Sequence, residues 1–243
     1  MSLIFNNIDK MSFDDLGDES EFIPLMTSED EEALEKENLP EVLPILPLTN
    51  TVLFPGVVIP INAGRDKSIK LINDANKSNK LIGVVSQKDI KIENPSIEDI
   101  YSVGTVAKIL RVLKMPDGNT TVIIQGKKRF KIKSVVKTDP YIQATISSLP
   151  DKNQRKSNNK FTATIDAIRD IALKIIKENP NIPSEASFSI KNIHSSAFLI
   201  NFVCSNMNIS VKDKQDLLSS LNIENRALKC LKSVSYTHLT LPT

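Results

Sequence analysis

The residues of this chain that could serve metal or nucleophilic chemistry are two histidines and two cysteines. His194, His238, Cys204 and Cys230 do not have the close spacing of a zinc site. A Ser/His/Asp triad could be drawn through His194, but no nucleophile-elbow sequence supports it. We therefore expect no metal site, a capping or partly buried structural role for His194, and two reduced thiols in the core.

Two sequence features could indicate phosphate binding, an ATP-binding loop and a cluster of cations, and this chain has only the second. The seven glycines never form the G-x-x-x-x-G-K-[ST] spacing of an ATP-binding loop, so we expect no cofactor in this chain. A run of cations alternates with Phe130 and Ile132 and would place its charges on one strand face. It predicts a contact with DNA or polyphosphate, although a solvated edge strand explains the same residues. The run comprises Lys127, Lys128, Arg129, Lys131 and Lys133.

The composition is that of a soluble globular protein with a separate acidic tail. Of its 243 residues, 40% are hydrophobic and 25% are charged, and no apolar run reaches the roughly 20 residues that span a bilayer. The N-terminus lacks a signal sequence, so we expect a cytoplasmic protein. Residues 1–40 hold 12 acidic and 2 basic side chains, whereas the rest carries a net charge of +12. We expect residues 1–40 to be a largely disordered acidic tail.

Residues 41–150 carry the signals of a β-rich subdomain. Its densest apolar stretch, Leu43–Ile61, is interrupted by four prolines and a glycine, which predicts short strands joined by tight corners. A helix is predicted over Asp66–Ser78, and a Pro-Asp-Gly hairpin turn at residues 115–119. The predicted strands are Ile45–Leu48, Thr51–Phe54, Val57–Ile61, Leu81–Ser86, Val103–Leu113, Thr120–Gln125, Arg129–Lys133 and Tyr141–Leu149.

After a polar linker at residues 151–160, residues 161–232 show helical spacing throughout. Ser210 and Asn222 are the expected caps of the last two helices. The predicted helices are Phe161–Lys177, one starting at Glu185, Ile193–Val203, Lys212–Leu221 and Ile223–Lys232. Residues 233–243 look like a translated sequencing adapter. We expect this tail to be non-native, to leave the last helix, and to mark a fragment of a longer gene.

Several motifs resemble the N-terminal substrate-binding domain of Lon proteases. The Leu43–Ile61 stretch runs into Gly-Arg-Asp-Lys-Ser at residues 64–68, as in that family. The VGTVA sequence starting at Val103, the Leu113–Gly118 hairpin and the QGKKRF sequence at Gln125–Phe130 follow in the same order. The likeness covers residues 41–232 and is weaker over 151–208, where only the helical pattern agrees.

This resemblance implies an α+β fold. A β-rich, PUA-like and barrel-like subdomain around one helix would precede an all-α helical bundle. It also implies a hexameric full-length parent, an ATP-dependent serine endopeptidase with a Ser–Lys dyad that uses ATP and Mg. This chain lacks those parts, so the resemblance implies a non-catalytic fragment that binds unfolded or degron-bearing proteins.

The residues expected to contact such substrates are Phe54, Pro55, Val57 and Val58, although the same residues could belong to the core. Two other functions stay open at the level of sequence. One is a stand-alone binding module with the same β fold. The other is a DNA- or polyphosphate-binding domain that uses the basic strand.

Overall fold

The computed structural model describes the backbone of residues 39–114, 120–151, 159–178 and 185–239. The predictions for the acidic tail up to residue 38, the hairpin turn at 115–119 and the linker at 152–158 lie outside these ranges. Within them the chain forms six strands, with one helix between the second and third, followed by a group of helices, which confirms the α+β organisation.

Most predicted strands are present, with two corrections. Thr51–Phe54 is irregular loop rather than strand. The segments predicted as Thr120–Gln125 and Arg129–Lys133 belong to one continuous strand of 18 residues. The strands are β1 (Val42–Leu48), β2 (Val58–Ala63), β3 (Leu81–Ser86), β4 (Val103–Lys114), β5 (Thr120–Lys137) and β6 (Gln143–Ser148).

The six strands form a sheet that closes on itself. Their order is β2-β5-β4-β3-β1-β6, and β6 pairs back onto the distal half of β5. Strands β1 and β3 are parallel, and the other pairs are antiparallel. Because β5 is long enough to pair with β2 and β4 first and with β6 later, it closes a five-stranded ring and leaves β2 outside it.

Helix α1 (Asp66–Lys77) lies between β2 and β3 in the chain and packs on β1 and β3. Asp66 supplies a negative charge in its first turn, and Leu71, Ile72 and Ala75 form its buried face. The sequence prediction of one helix within the β-rich half is confirmed.

The second half contains five helices within the described residues. They are α2 (Asn159–Glu178), α3 (Glu185–Asn192), α4 (Ser196–Asn206), α5 (Val211–Ser219) and α6 (Ile223–Leu239). The predicted caps are confirmed: Ser210 Oγ accepts a hydrogen bond from Asp213 N at 3.1 Å, and Asn222 Oδ1 accepts one from Glu224 N at 2.8 Å.

Three expectations for the helical half are wrong. The helix predicted to begin at Ile193 starts at Ser196, because the hydroxyl of Ser195 caps it by accepting from Phe198 N at 3.0 Å. His194 is exposed and is not the cap. The last helix does not end near Lys232 but continues to Leu239, so the first residues of the predicted tail are helical.

Two clusters of buried apolar residues hold the fold together. The smaller cluster fills the ring and includes Leu43, Val106 and Phe130. The larger one runs without interruption from the sheet and α1 into the helices and includes Phe54, Ile124 and Leu199. The β-rich half and the helical half therefore share one core.

The loop between β1 and β2 is fastened where the two halves meet. Thr105 Oγ1 of β4 donates to Leu53 O at 2.7 Å, and Asn201 Nδ2 of α4 donates to Pro55 O at 3.2 Å. Gly56 turns the chain at φ 81°, a conformation that favours glycine, and its N–H donates to Gly126 O at 2.9 Å. The loop is thus bound to the sheet on one side and to a helix on the other.

A buried charge network also joins the halves. Arg129 of β5 donates to Leu218 O and Ser220 O, both at 2.7 Å, beside the C-terminal end of α5. It also pairs with Asp151 at 2.6 Å, and Arg226 of α6 donates to the same carboxylate oxygen. Both arginine side chains are at least 98% buried. Burial and the neighbouring charge of Arg226, partly offset by Asp151, together lower the pKa of Arg129 to about 10, so Arg129 stays charged at neutral pH.

We predict that Gly126→Ala will lower the free energy of unfolding by about 2 kcal/mol. A Cβ atom at residue 126 would lie 2.3 Å from Phe54 O, a backbone atom that can move only with the whole loop. Urea denaturation measures the change. The matched control is Gly64→Ala, whose Cβ would meet no atom within 4 Å and should shift stability by less than about 0.5 kcal/mol. Equal stability of the two variants would contradict this account of the loop.

We predict that Asp151→Asn will cost about 3 kcal/mol, because it leaves two buried guanidinium groups without their carboxylate. Thermal and urea denaturation measure the loss. Asp166→Asn makes the same chemical change at an exposed position of α2 and should have little effect. A stability of Asp151→Asn within about 0.5 kcal/mol of the parent would show that the network does not stabilise the junction.

Candidate functional site

The apolar residues predicted to contact substrate are mostly part of the core. Phe54 is fully buried and Val57 is 7% exposed, so neither can meet a partner in the folded chain. Pro55 is half-buried, and its carbonyl is occupied by Asn201. Of the four predicted residues, Val58 is the one that lies on an outer sheet face with part of its side chain accessible.

The predicted polyanion contact requires one correction. Arg129 is 4% exposed and is held by Asp151 and two backbone carbonyl groups, so it cannot bind an external phosphate. Lys127 and Lys128 are half-buried, whereas Lys131 and Lys133 are exposed. A polyanion contact by the lysines stays a prediction.

Arg129 differs from the period-two expectation because β5 is covered on both faces at this point. Phe130 is directed into the ring, and Arg129 is directed against the helical half. A pattern of alternating cations and apolar residues predicts solvent on one face, but here that face meets α5 and α6. The side chain is buried with its charge because Asp151 and the end of α5 supply its partners.

An exposed apolar surface instead lies on the outer face of β2, β5 and β4. The inner residues Ile59, Ile124 and Ile109 belong to the core, so their alternating neighbours face outward. Pro60 pairs with Ile123, and Ile123 pairs with Arg111 across three adjacent strands. A β-bulge between Ile109 and Arg111 leaves Leu110 40% exposed on the same side. We call this surface the sheet-face patch; it consists of Val58, Pro60, Leu110 and Ile123.

The surroundings of the sheet-face patch are basic and open. Lys108 and Arg111 of β4 are exposed beside it. Strand β2 pairs with β5 and, within the described residues, has no partner on its other edge. Pro60 is compatible with such an edge because it needs no ladder hydrogen bond there. The patch therefore combines accessible apolar side chains, flanking cations and a free strand edge.

The two thiols are unsuited to nucleophilic chemistry. Cys204 and Cys230 are free and fully buried, as predicted. A hydrogen bond with Cys204, together with burial, raises the pKa of the Cys230 thiol well above its ordinary value. Because both thiols are fully buried and the thiolate is the reactive form, we interpret the pair as a packing element of the helical half.

The residues that the structure describes contain no group of three or more His, Cys, Asp or Glu side chains that could hold a metal ion. None of the described helices is long and apolar enough to cross a membrane.

Comparison with known proteins shows which family has a similar sequence and fold. A family model for the ATP-dependent protease La (LON) substrate-binding domain matches residues 42–235. The Lon protease of Flavobacterium johnsoniae is 60% identical over 225 residues, which cover 93% of this chain and 28% of that protein. The Lon protease of Cytophaga hutchinsonii is 50% identical over 207 residues, 85% of this chain and 26% of that protein. The chain thus spans about a quarter of the length of these relatives.

Solved structures agree on the fold. The N-terminal domain of Lon protease from the Mycobacterium avium complex superimposes with a TM-score of 0.65 at 19% identity, covering 80% of this chain and 98% of that one. The Lon N-terminal domain protein from Xanthomonas campestris gives a TM-score of 0.54 at 15% identity. A closed sheet followed by helices is therefore the architecture these domains share. The chain belongs to the family of Lon protease substrate-binding domains.

Proposed function

We propose that this chain is the substrate-recognition domain of a cytoplasmic, ATP-dependent Lon-type serine protease, and that it captures unfolded or degron-bearing proteins without covalent chemistry. The family match over residues 42–235 supports a binding role. The stand-alone module and the nucleic-acid binder considered from the sequence are not supported by the relatives, which are full-length Lon proteases.

The observation that carries the proposal is the sheet-face patch. Apolar residues in unfolded proteins are accessible, whereas folded proteins bury most of theirs. A surface that presents Pro60, Leu110 and Ile123 together, on a rigid sheet, can bind such residues by removing apolar area from water. Four modest contacts give weak and reversible binding, which suits a domain that must later release its substrate to another part of the protein.

The free edge of β2 adds a second element to this proposal. An extended substrate segment can lie along an unpaired strand and form main-chain hydrogen bonds that do not depend on its sequence. The apolar patch beside that edge then selects segments that carry apolar side chains. Lys108 and Arg111 would favour substrates with acidic residues next to the apolar ones.

The remaining steps belong to the full-length parent in this proposal. That protein would be a hexamer, would use ATP and Mg to move the captured segment, and would cleave it with a Ser–Lys dyad. Residues 42–235 contribute recognition in this division of tasks.

We predict that Leu110→Ser combined with Ile123→Ser will weaken substrate binding about tenfold, because two central contacts of the patch lose their apolar area. The probe is fluorescein-labelled lactalbumin that has been reduced and carboxymethylated so that it stays unfolded, and anisotropy gives Kd. Circular dichroism checks that the double variant keeps the fold of the parent.

The matched control is Ile90→Ser combined with Leu221→Ser, which removes two exposed apolar residues outside the patch. This control should bind like the parent. Equal affinities for the parent and both double variants would contradict the sheet-face patch as the binding surface. An absence of any binding by the parent would contradict the recognition function itself.

A further inference from the structure

The outer half of β5 carries a second surface that the recognition function does not use. Lys131, Lys133 and Lys137 are exposed there, and Val135 and Val136 are 37% and 50% exposed. We call these five residues the distal β5 surface. Val135 and Val136 are neighbours in the strand and lie on opposite faces, so this end of β5 presents accessible apolar and basic side chains around one strand edge. Such an edge fits an extended partner that is both apolar and acidic.

One edge of this surface is open. The pairing of β5 with β4 ends at Val103 and Lys131, and the N–H of Ile132 donates to Ser102 O at 2.8 Å. Beyond Ile132, β5 pairs with β6 alone among the described residues. Backbone groups on the other edge are therefore available to an added extended segment.

The acidic N-terminal segment joins the fold beside this surface. Val42 of β1 pairs with Thr145 of β6, and Thr145 pairs with Ser134 of β5. Ile146 N donates to Glu41 O at 2.9 Å, which fixes the entry point. Two strand spacings, about 10 Å, separate the start of β1 from the distal half of β5.

The composition of that segment complements the surface. Residues 1–40 hold 12 acidic and 2 basic side chains. The acidic residues alternate with apolar groups: the sequence EFIPLM at Glu21–Met26 lies between Glu19 and the acidic run at residues 29–32. One short segment thus offers both negative charges for the exposed lysines and apolar side chains for the exposed valines of the distal β5 surface.

We propose that residues 1–38 bind in cis to the distal β5 surface. The attachment point holds the segment at an effective concentration of the order of millimolar, so weak ionic and apolar contacts suffice to populate the bound state. The contact covers the open edge of β5 and competes with other acidic or extended partners for it. Because exposed lysines supply the charge, the contact weakens as salt rises.

Paramagnetic relaxation in the full chain tests this proposal. A nitroxide is attached through Ser20→Cys, since Cys204 and Cys230 are buried and leave the new thiol as the accessible one. We expect the amide signals of residues 131–137 to broaden at low salt and to recover at 0.5 M NaCl, a concentration at which exposed charges are largely screened. The triple variant Lys131→Gln, Lys133→Gln, Lys137→Gln should remove most of the broadening.

The matched control neutralises three exposed lysines of α1, Lys67→Gln, Lys70→Gln and Lys77→Gln, and should keep the broadening. Broadening that persists in the β5 triple variant, or that lies on the sheet-face patch, would overturn the proposal. A mixture of nitroxide-labelled chain and isotope-labelled chain separates contact in cis from contact between copies. Broadening in that mixture equal to that within one chain would also overturn it.

Discussion

The central constraint on this structure is that the middle of β5 is covered on both faces. Phe130 closes the interior of the ring, while Arg129, one residue earlier, is directed into the helical half and ends against Asp151 and α5. A charged side chain in that position is stable only with full pairing, so the end of α5, Asp151 and Arg226 must be in place together. The position of the helices relative to the sheet follows from this requirement.

Packing then determines which surfaces are left for function. The apolar side chains of the β1–β2 loop are buried in the shared core. The N-terminal part of β5 pairs with β2 on one edge and with β4 on the other. On the outer face of those three strands Pro60 is exposed, and the β-bulge at Leu110 turns an additional apolar side chain outward. The exposed apolar surface thus lies where the sheet extends beyond the elements that cover it.

Local patterns predicted much of the fold. The alternation of β6, the helical spacing from Phe161 onward and the caps at Ser210 and Asn222 depend on neighbouring residues, and the structure confirms them. The burial of Arg129 and Phe54 depends on groups far away in sequence. The sheet-face patch was missed because Pro60, Leu110 and Ile123 meet only through the register of three strands and a bulge. A proline within a β-patterned segment was the one local signal of an edge.

The shared core makes the two halves a single mechanical body. A pulling force applied along α6 passes through Arg226 to Asp151 and from there to Arg129 in β5, the strand that carries both exposed surfaces. The larger apolar cluster spans the same junction, so no soft hinge lies along that path within the described residues. The sheet and the helices therefore resist separation when α6 is pulled, because the apolar cluster and the ion pairs must break together.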